Sequence, residues 1–381
     1  MDLIKRNRSR LIAFFSVFQI ISLGAQSLKE EYTQCAVNYV QTKQYAEAIE
    51  YFSWVIELDS ADVIAYFDRG FTKELMNDFD GAISDYSLQI GVDSLSIDSY
   101  FLRGIAKEKI GDSLGAIADY SKVIELEYDN ADAHFFRGRA FATYGKWKAA
   151  LDDYSIAIKI NPEHELAYAY RAWTLIVLGD KKGALKDLEW SKKYAPDLAL
   201  SYLLESDLLA KRRDFKTAFQ AIEHACEIGI YQFQNYPTIS FQKHTIDAYK
   251  QVVLERKIAL KAENASEEQL CHFSAACMFV DQDEIALQVI EEILAVHPKQ
   301  QDAIRMRAQV YMHKKLWRLA LDNLNLLLNT NSPNPEDYLR RAEVYFVLNQ
   351  LDESCLDYQH YLEFSSAVVY HTLWKKCKAN K

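Results

Sequence analysis

A small residue recurs at a single phase of a 34-residue frame, at Ala36, Gly70, Gly104, Gly138, Ala172, Ser206, Ser240, Ser274, Ala308 and Ala342. Four residues before it stands an aromatic ring in the first seven windows, at Tyr32, Tyr66, Tyr100, His134, Tyr168, Tyr202 and Tyr236. Twelve residues after it lies a second small register, Ala48, Ala82, Ala116, Ala150, Ala184, Ala218, Ala286, Ala320 and Ser354, broken only by Val252. Four further on, Phe52, Tyr86, Tyr120, Tyr154, Leu188, Ile222, Ile290, Leu324 and Tyr358 form an aromatic or aliphatic register. Windows therefore run 29–62, 63–96 and so on to 335–368. A repeat of this length that holds its phase requires stacked supersecondary units, each burying its neighbour's apolar face.

Each window reads as two helices. In 131–164, Phe135, Phe136, Ala140 and Phe141, then Ala149, Ala150, Tyr154, Ala157 and Ile158, follow helical spacing on either side of Gly145-Lys146. Asn161-Pro162 closes the second run, because the residue before a proline is pushed out of the α region. Small residues where two helices cross let the backbones approach. Only 12 glycines and 6 prolines in 381 residues, half of them hydrophobic, exclude a disordered, collagen-like or all-β chain. The net charge of −10 argues against nucleic acid as a partner.

The segments YFLRGIAKEKIGDSLGAIADYSKVIEL (100–126) and HFFRGRAFATYGKWKAALDDYSIAIKINP (134–162) resemble the tetratricopeptide repeat (TPR) family. Its pattern is an aromatic, a small residue four later, Ala twelve after that, another aromatic and a late Pro. The resemblance spans about 340 residues (29–368) and implies an all-α fold, a right-handed α-solenoid of about ten helix-turn-helix units with a concave groove. It names no ligand, since such folds host many partners.

The expected organisation is a leader over 1–25, regular repeats over 29–232, a degenerate window 233–266, repeats again over 267–368, and a capping tail 369–381. In 233–266, Pro237 follows the aromatic, Val252 replaces the small residue and Arg256 the second aromatic. That window reads as a loosely packed diverged repeat or as a hinge between two arms. Lys5, Arg6, Arg8 and Arg10 precede the 13-residue apolar run Leu11–Leu23, and small residues appear at its end, at Ser22, Gly24 and Ala25. This is the layout of a secretory signal peptide, too short for a membrane span. Its removal takes away four positive charges and Asp2, moving the net charge from −10 to −13. The expected location is outside the cytosol: the periplasm, the extracellular space or, in a eukaryote, the secretory lumen.

Arg69, Arg103, Arg137 and Arg171 precede the small residue, and Asp85, Asp119, Asp153 and Asp187 precede the second aromatic register. Arg307, Arg341 and Asp357 continue the two series. These are expected to form Arg–Asp ladders between stacked helices, the alternative being a basic stripe for an acidic ligand. The groove that the resemblance implies would be lined by Phe67, Phe71, Phe101, Ile105, Phe135, Arg139, Ala169 and Trp173. The family's Lys and Asn clamp for a C-terminal carboxylate is missing at those positions. The aromatic strip reads as a contact for an apolar or extended peptide, or as inter-repeat core.

Six scattered cysteines read as buried thiols, with Cys355 and Cys377 the pair to test for a disulfide. The spacing of Cys355, His360, His371 and Cys377 is weak for zinc. No glycine-rich phosphate loop, G-x-S-x-G or dinucleotide fingerprint occurs. The expectation is an exported non-catalytic scaffold without cofactor or metal, binding a protein or peptide partner in support of an envelope or secretory-pathway assembly. The alternative is a peptide-binding chaperone or assembly factor for unfolded or outer-membrane clients.

Overall fold

A computed structural model describes residues 26–229, 243–329, 334–364 and 377. The expected leader 1–25, the start of the degenerate window and all of the expected capping tail except Cys377 lie outside these residues. Among the described residues every regular element is a helix, and there are 19 of them. The fold class is all-α, an α-solenoid of helical hairpins on the 34-residue frame. The chain divides into two compact units between Ala140 and Phe141.

The first unit holds α1 (26–41), α2 (Tyr45–Leu58), α3 (Val63–Leu75), α4 (Phe79–Val92), α5 (Ile97–Lys109) and α6 (Ser113–Leu126). The division falls inside α7 (Ala131–Thr143). The second unit continues with α8 (Trp147–Ile160), α9 (Glu165–Leu178), α10 (Lys181–Tyr194), α11 (Ala199–Lys211) and α12 (Phe215–Gly229). Then come α13 (Lys243–Ala262), α14 (Glu267–Phe279), α15 (Asp283–Val296), α16 (Gln301–His313), α17 (Trp317–Leu328), α18 (Pro335–Val347) and α19 (Leu351–Phe364). Nine windows thus carry two helices each, and among its described residues, 243–266, the degenerate window carries one helix, α13.

The turns repeat as strictly as the helices. In every two-helix window one residue at the same register has positive φ: Lys43, Asn77, Gly111, Gly145, Gly179, Arg213, Asp281, Lys315 and Asn349. A left-handed residue ends the first helix, since it lets the next amides bond back to its last carbonyls. Asn77 N–H donates to the Glu74 carbonyl and Asp78 N–H to that of Lys73, both at 2.8 Å. The next residue then caps the second helix: Asp112 and Asp180 each accept from the amide three residues on, at 2.9 Å.

The packing registers are core. Ala48, Ala82, Ala116, Ala150, Ala184, Ala218, Ala286 and Ala320 are wholly inaccessible, as are Tyr86, Tyr120, Tyr154 and Leu188. Burying each of these larger side chains contributes about 1.5–3 kcal/mol. The small residues are dictated by close approach. A Cβ on Gly104 would lie 2.6 Å from the Tyr120 ring, and one on Gly70 3.0 Å from the Tyr86 ring.

The degenerate window departs in a defined way. α13 runs straight through Asp247, the register at which the other hairpins turn. Tyr249, Val253 and Leu260 are buried, whereas Val252 and Arg256, on the frame's two packing registers, are only partly so. Burial of 253 in place of 252 corresponds to rotating the helix by about one residue, roughly 100°. α13 is not loose: its buried residues belong to one continuous cluster with side chains of α11, α12 and α14–α18. Tyr249 packs edge-on to Phe215, ring centroids 5.2 Å apart.

Cys355 and Cys377 form a disulfide, Cα atoms 5.3 Å apart, which pins Cys377 against α19. Neither is then a zinc ligand. Cys226, Cys271 and Cys277 are buried free thiols, and burial pushes Cys271 up to about 12. They pack as small apolar side chains. Among the described residues no helix is long and apolar enough to cross a membrane.

Candidate partner-binding surface

The ladder residues take up one arrangement repeatedly. Arg69 on α3 donates from Nε and Nη2 to the two carboxylate oxygens of Asp85 on α4, at 2.9 and 2.7 Å. Its Nη1 donates to Ser53 Oγ on the preceding hairpin at 3.0 Å. Arg103 repeats this with Asp119 at 2.9 and 2.6 Å and with Ser87 at 3.0 Å. Arg171 does so with Asp187, both bonds 2.7 Å, and with Ser155 at 3.2 Å. Arg341 uses Asp357 at 2.7 Å and Asn325 at 2.9 Å. Arg137 donates to Ser121 at 3.2 Å, and Asp153 is buried. Lys73 and Lys107 add a second cation to Asp85 and Asp119, at 2.7 and 2.8 Å.

Each bidentate pair is therefore internal to a hairpin, and the third guanidinium bond is the one that crosses to the hairpin before. The carboxylates of Asp85 and Asp119 are 1% and 4% exposed, so their cations supply the stabilisation that water cannot. The serine register 53, 87, 121, 155 was readable as a period but has no family signature pointing to it.

The predicted strip residues divide by environment. Phe71 is 41% exposed. Phe67 is half-buried, its ring 5.9 Å from that of Tyr86. Phe101 is half-buried between Tyr120 and Phe136, at 5.7 and 5.2 Å, and Ile105 packs in the same cluster. Phe135 is only 1% exposed and Ala169 is fully buried, so both belong to the core rather than to a surface. Arg139 lies over the Phe136 ring at 4.4 Å and donates to Glu108 from Nε and Nη2, at 3.2 and 2.8 Å. Trp173, in the second unit, is half-buried and edge-on to Trp147 at 5.5 Å.

The first unit thus brings Phe67, Phe71, Phe101, Ile105 and Arg139 onto successive first helices, α3, α5 and α7. Two further side chains of this surface escaped the sequence reading. Glu74 accepts from the Tyr86 hydroxyl at 3.0 Å and Glu108 from that of Tyr120 at 2.7 Å. Burial raises the Glu74 carboxyl above its usual range. The signal that could have found them is their own 34-residue spacing, together with tyrosines twelve residues later. Among the described residues no group of three or more His, Cys, Asp or Glu side chains could hold a metal.

A family model described as tetratricopeptide repeat matches residues 101–165, and another of the same description matches 32–62. No curated protein matches the chain in sequence. Among solved structures, the chain is similar to that of the MamA protein at 21% identity and a TM-score of 0.43, covering 45% of this chain and 94% of that one. It is similar to MamA, residue 41 to the end, from Desulfovibrio magneticus RS-1 at 13% identity and a TM-score of 0.43, covering 45% and 97%. It is also similar to YrrB, described as a TPR protein with an unusual peptide-binding site, at 20% identity and a TM-score of 0.41, covering 48% and 90%. The chain carries tetratricopeptide repeats at 32–62 and 101–165.

Proposed function

We propose that the protein is an exported, non-catalytic scaffold that grips a protein partner through the first-helix surface of its repeats. The observation that carries this reading is Phe71, a large apolar side chain left 41% exposed on α3, the helix that also carries half-buried Phe67, with half-buried Phe101 on the next first helix, α5. An aromatic ring held by a rigid helix contributes contact area at low entropic cost, which is why such residues anchor interfaces. Tetratricopeptide repeats are generally scaffolds for protein–protein interaction rather than catalysts. Export is supported by the basic-then-apolar layout of 1–25 and by the Cys355–Cys377 disulfide, which persists in oxidising compartments. The partner's role in an envelope or secretory-pathway complex follows from that location.

The test is capture of cross-linked partners from the native source, by the wild-type chain and by Phe71→Ala. The expected result is a folded partner in fixed stoichiometry, lost on substitution. Heterogeneous unfolded clients would replace the scaffold reading with that of a peptide-binding chaperone or assembly factor. Capture unaffected by the substitution would move the partner site elsewhere. Fractionation for the protein in the cytosol would overturn export independently.

A further inference from the structure

The repeat provides an internal comparison for the Glu74 carboxylate. Glu108 on α5, Tyr120 on α6 and Arg139 on α7 make one three-part unit. The tyrosine hydroxyl donates to Glu108 at 2.7 Å, and the guanidinium donates at 3.2 and 2.8 Å. That guanidinium also lies over Phe136 at 4.4 Å and within 6.0 Å of the Phe135 ring centre. Moved back by 34 residues, the same positions hold Glu74, Tyr86 and Ile105. The carboxylate and its tyrosine are present, with the hydroxyl donating at 3.0 Å. The cation is replaced by an isoleucine, and Glu74 makes no ion pair among the described residues. Lys109 acts on Glu74 only as a nearby charge. Phe101 stands at the position of Phe135, and Phe71 lies one turn before Glu74 on the same helix.

From this juxtaposition we infer that Glu74, with Phe71 and Phe101, is a recognition site for an arginine side chain of an extended partner segment. The inference rests on the groove reading above and makes it chemically specific. A carboxylate in a partly desolvated site gains most from a planar, bidentate donor that can also stack on aromatic rings, and a guanidinium offers both. Arg139 is the molecule's own example of that contact, with Phe136 as its nearer ring; at the Glu74 site Leu102 holds that position, and the rings are those of Phe101 and Phe71. Charge complementarity agrees, since the chain carries a net charge of −10 and would favour a basic segment.

The probe is an end-blocked, fluorescein-labelled nonapeptide of leucine and alanine with a single central arginine. Its twin carries citrulline, which keeps the shape and removes the charge. Both are titrated against the full chain. The arginine peptide is expected to bind about tenfold or more tightly than the citrulline peptide. Glu74→Gln should abolish that preference. Ile105→Arg, which supplies the missing guanidinium from within, should lose the arginine peptide while its denaturation midpoint stays the same or rises. Equal affinity for the two peptides, with both lost in Phe71→Ala, overturns the guanidinium site and leaves the groove reading standing. Absence of binding by either peptide also overturns the site, and partner capture then decides the groove reading separately. Unchanged discrimination in Glu74→Gln places the charge recognition on another residue and overturns the assignment.

Discussion

The hairpin α5–α6 and the helix α13 occupy the same 34-residue frame and meet its demands differently. The hairpin turns on Gly111, seats Tyr120 against Gly104, and holds Asp119 with Arg103 and Lys107. α13 has no turn at Asp247 and presents Val253 to the core in place of Val252. Its Arg256 reaches Glu223 on the preceding hairpin, at 3.0 and 3.1 Å. Glu223 lies on the register that holds Ser53, Ser87, Ser121 and Ser155 elsewhere. The difference separates two kinds of requirement. Apolar burial is met by both, because it depends on a face being covered rather than on which residue covers it. The turn and the bidentate Arg–Asp pair closed within one hairpin are what α13 lacks.

The largest test of that separation is the charge pair. Asp119→Ala leaves Arg103 and Lys107 without their buried acceptor and should cost about 3–5 kcal/mol. Glu223→Ala removes the partner of an arginine whose side chain is 34% exposed, and should cost about 1 kcal/mol. Denaturant midpoints for the two variants would show the contrast, and equal losses would break it.

Packing gives the next effect. Gly104→Ala should destabilise by about 1–3 kcal/mol, because the new methyl group meets a fully buried ring. Gly70→Ala, with 3.0 Å to its nearest ring atom, should lose less. Thermal melts of the pair order the two sites, and the reverse order would contradict the close-approach argument.

A single substitution type should then change sign across the comparison. Arg213 has a φ of 63°, so Arg213→Gly relieves a left-handed residue and should stabilise by up to about 1 kcal/mol. Asp247 is helical, so Asp247→Gly should destabilise by about 1 kcal/mol. Destabilisation at both positions would mean that the turn register carries no conformational requirement.

The smallest effect is a pH dependence at the contact between two regular hairpins. His313 on α16 bonds Asp283 on α15 at 2.9 Å, with Asp281 at 3.7 Å, and the Asp283 bond raises its pKa above the usual 6.5. A raised pKa stabilises the fold fully below 6.5 and loses that contribution as pH rises through the folded value. His313→Gln should therefore lower the melting temperature slightly in acid and leave it unchanged in alkali. A difference that grows with pH would reverse the assignment.

Much of the fold was legible because stacking imposes the same packing on every unit, so Ala82, Ala116 and their equivalents recur in sequence as they do in space. The ladder was legible as composition, since Arg and Asp recur together. Its wiring was not. That Asp85 and Asp119 lie within the arginine's own hairpin, while serines reach it from the hairpin before, depends on helix crossing geometry. The aromatic strip was legible only as a list of rings. Phe71 and Phe135 hold neighbouring first-helix registers, yet one is 41% exposed and the other 1%.

By itself, the amino-acid sequence determined the 34-residue frame, the two-helix form of the regular windows and their small-residue contacts, because each is a local requirement repeated at fixed spacing. Tertiary structure alone decided that α13 is rotated and unbroken, which rings face outward, and which carboxylate is left without its cation. Those outcomes depend on what a neighbouring helix places opposite each side chain. The guanidinium of Arg139 reaching Glu108 on the preceding first helix is the case in point.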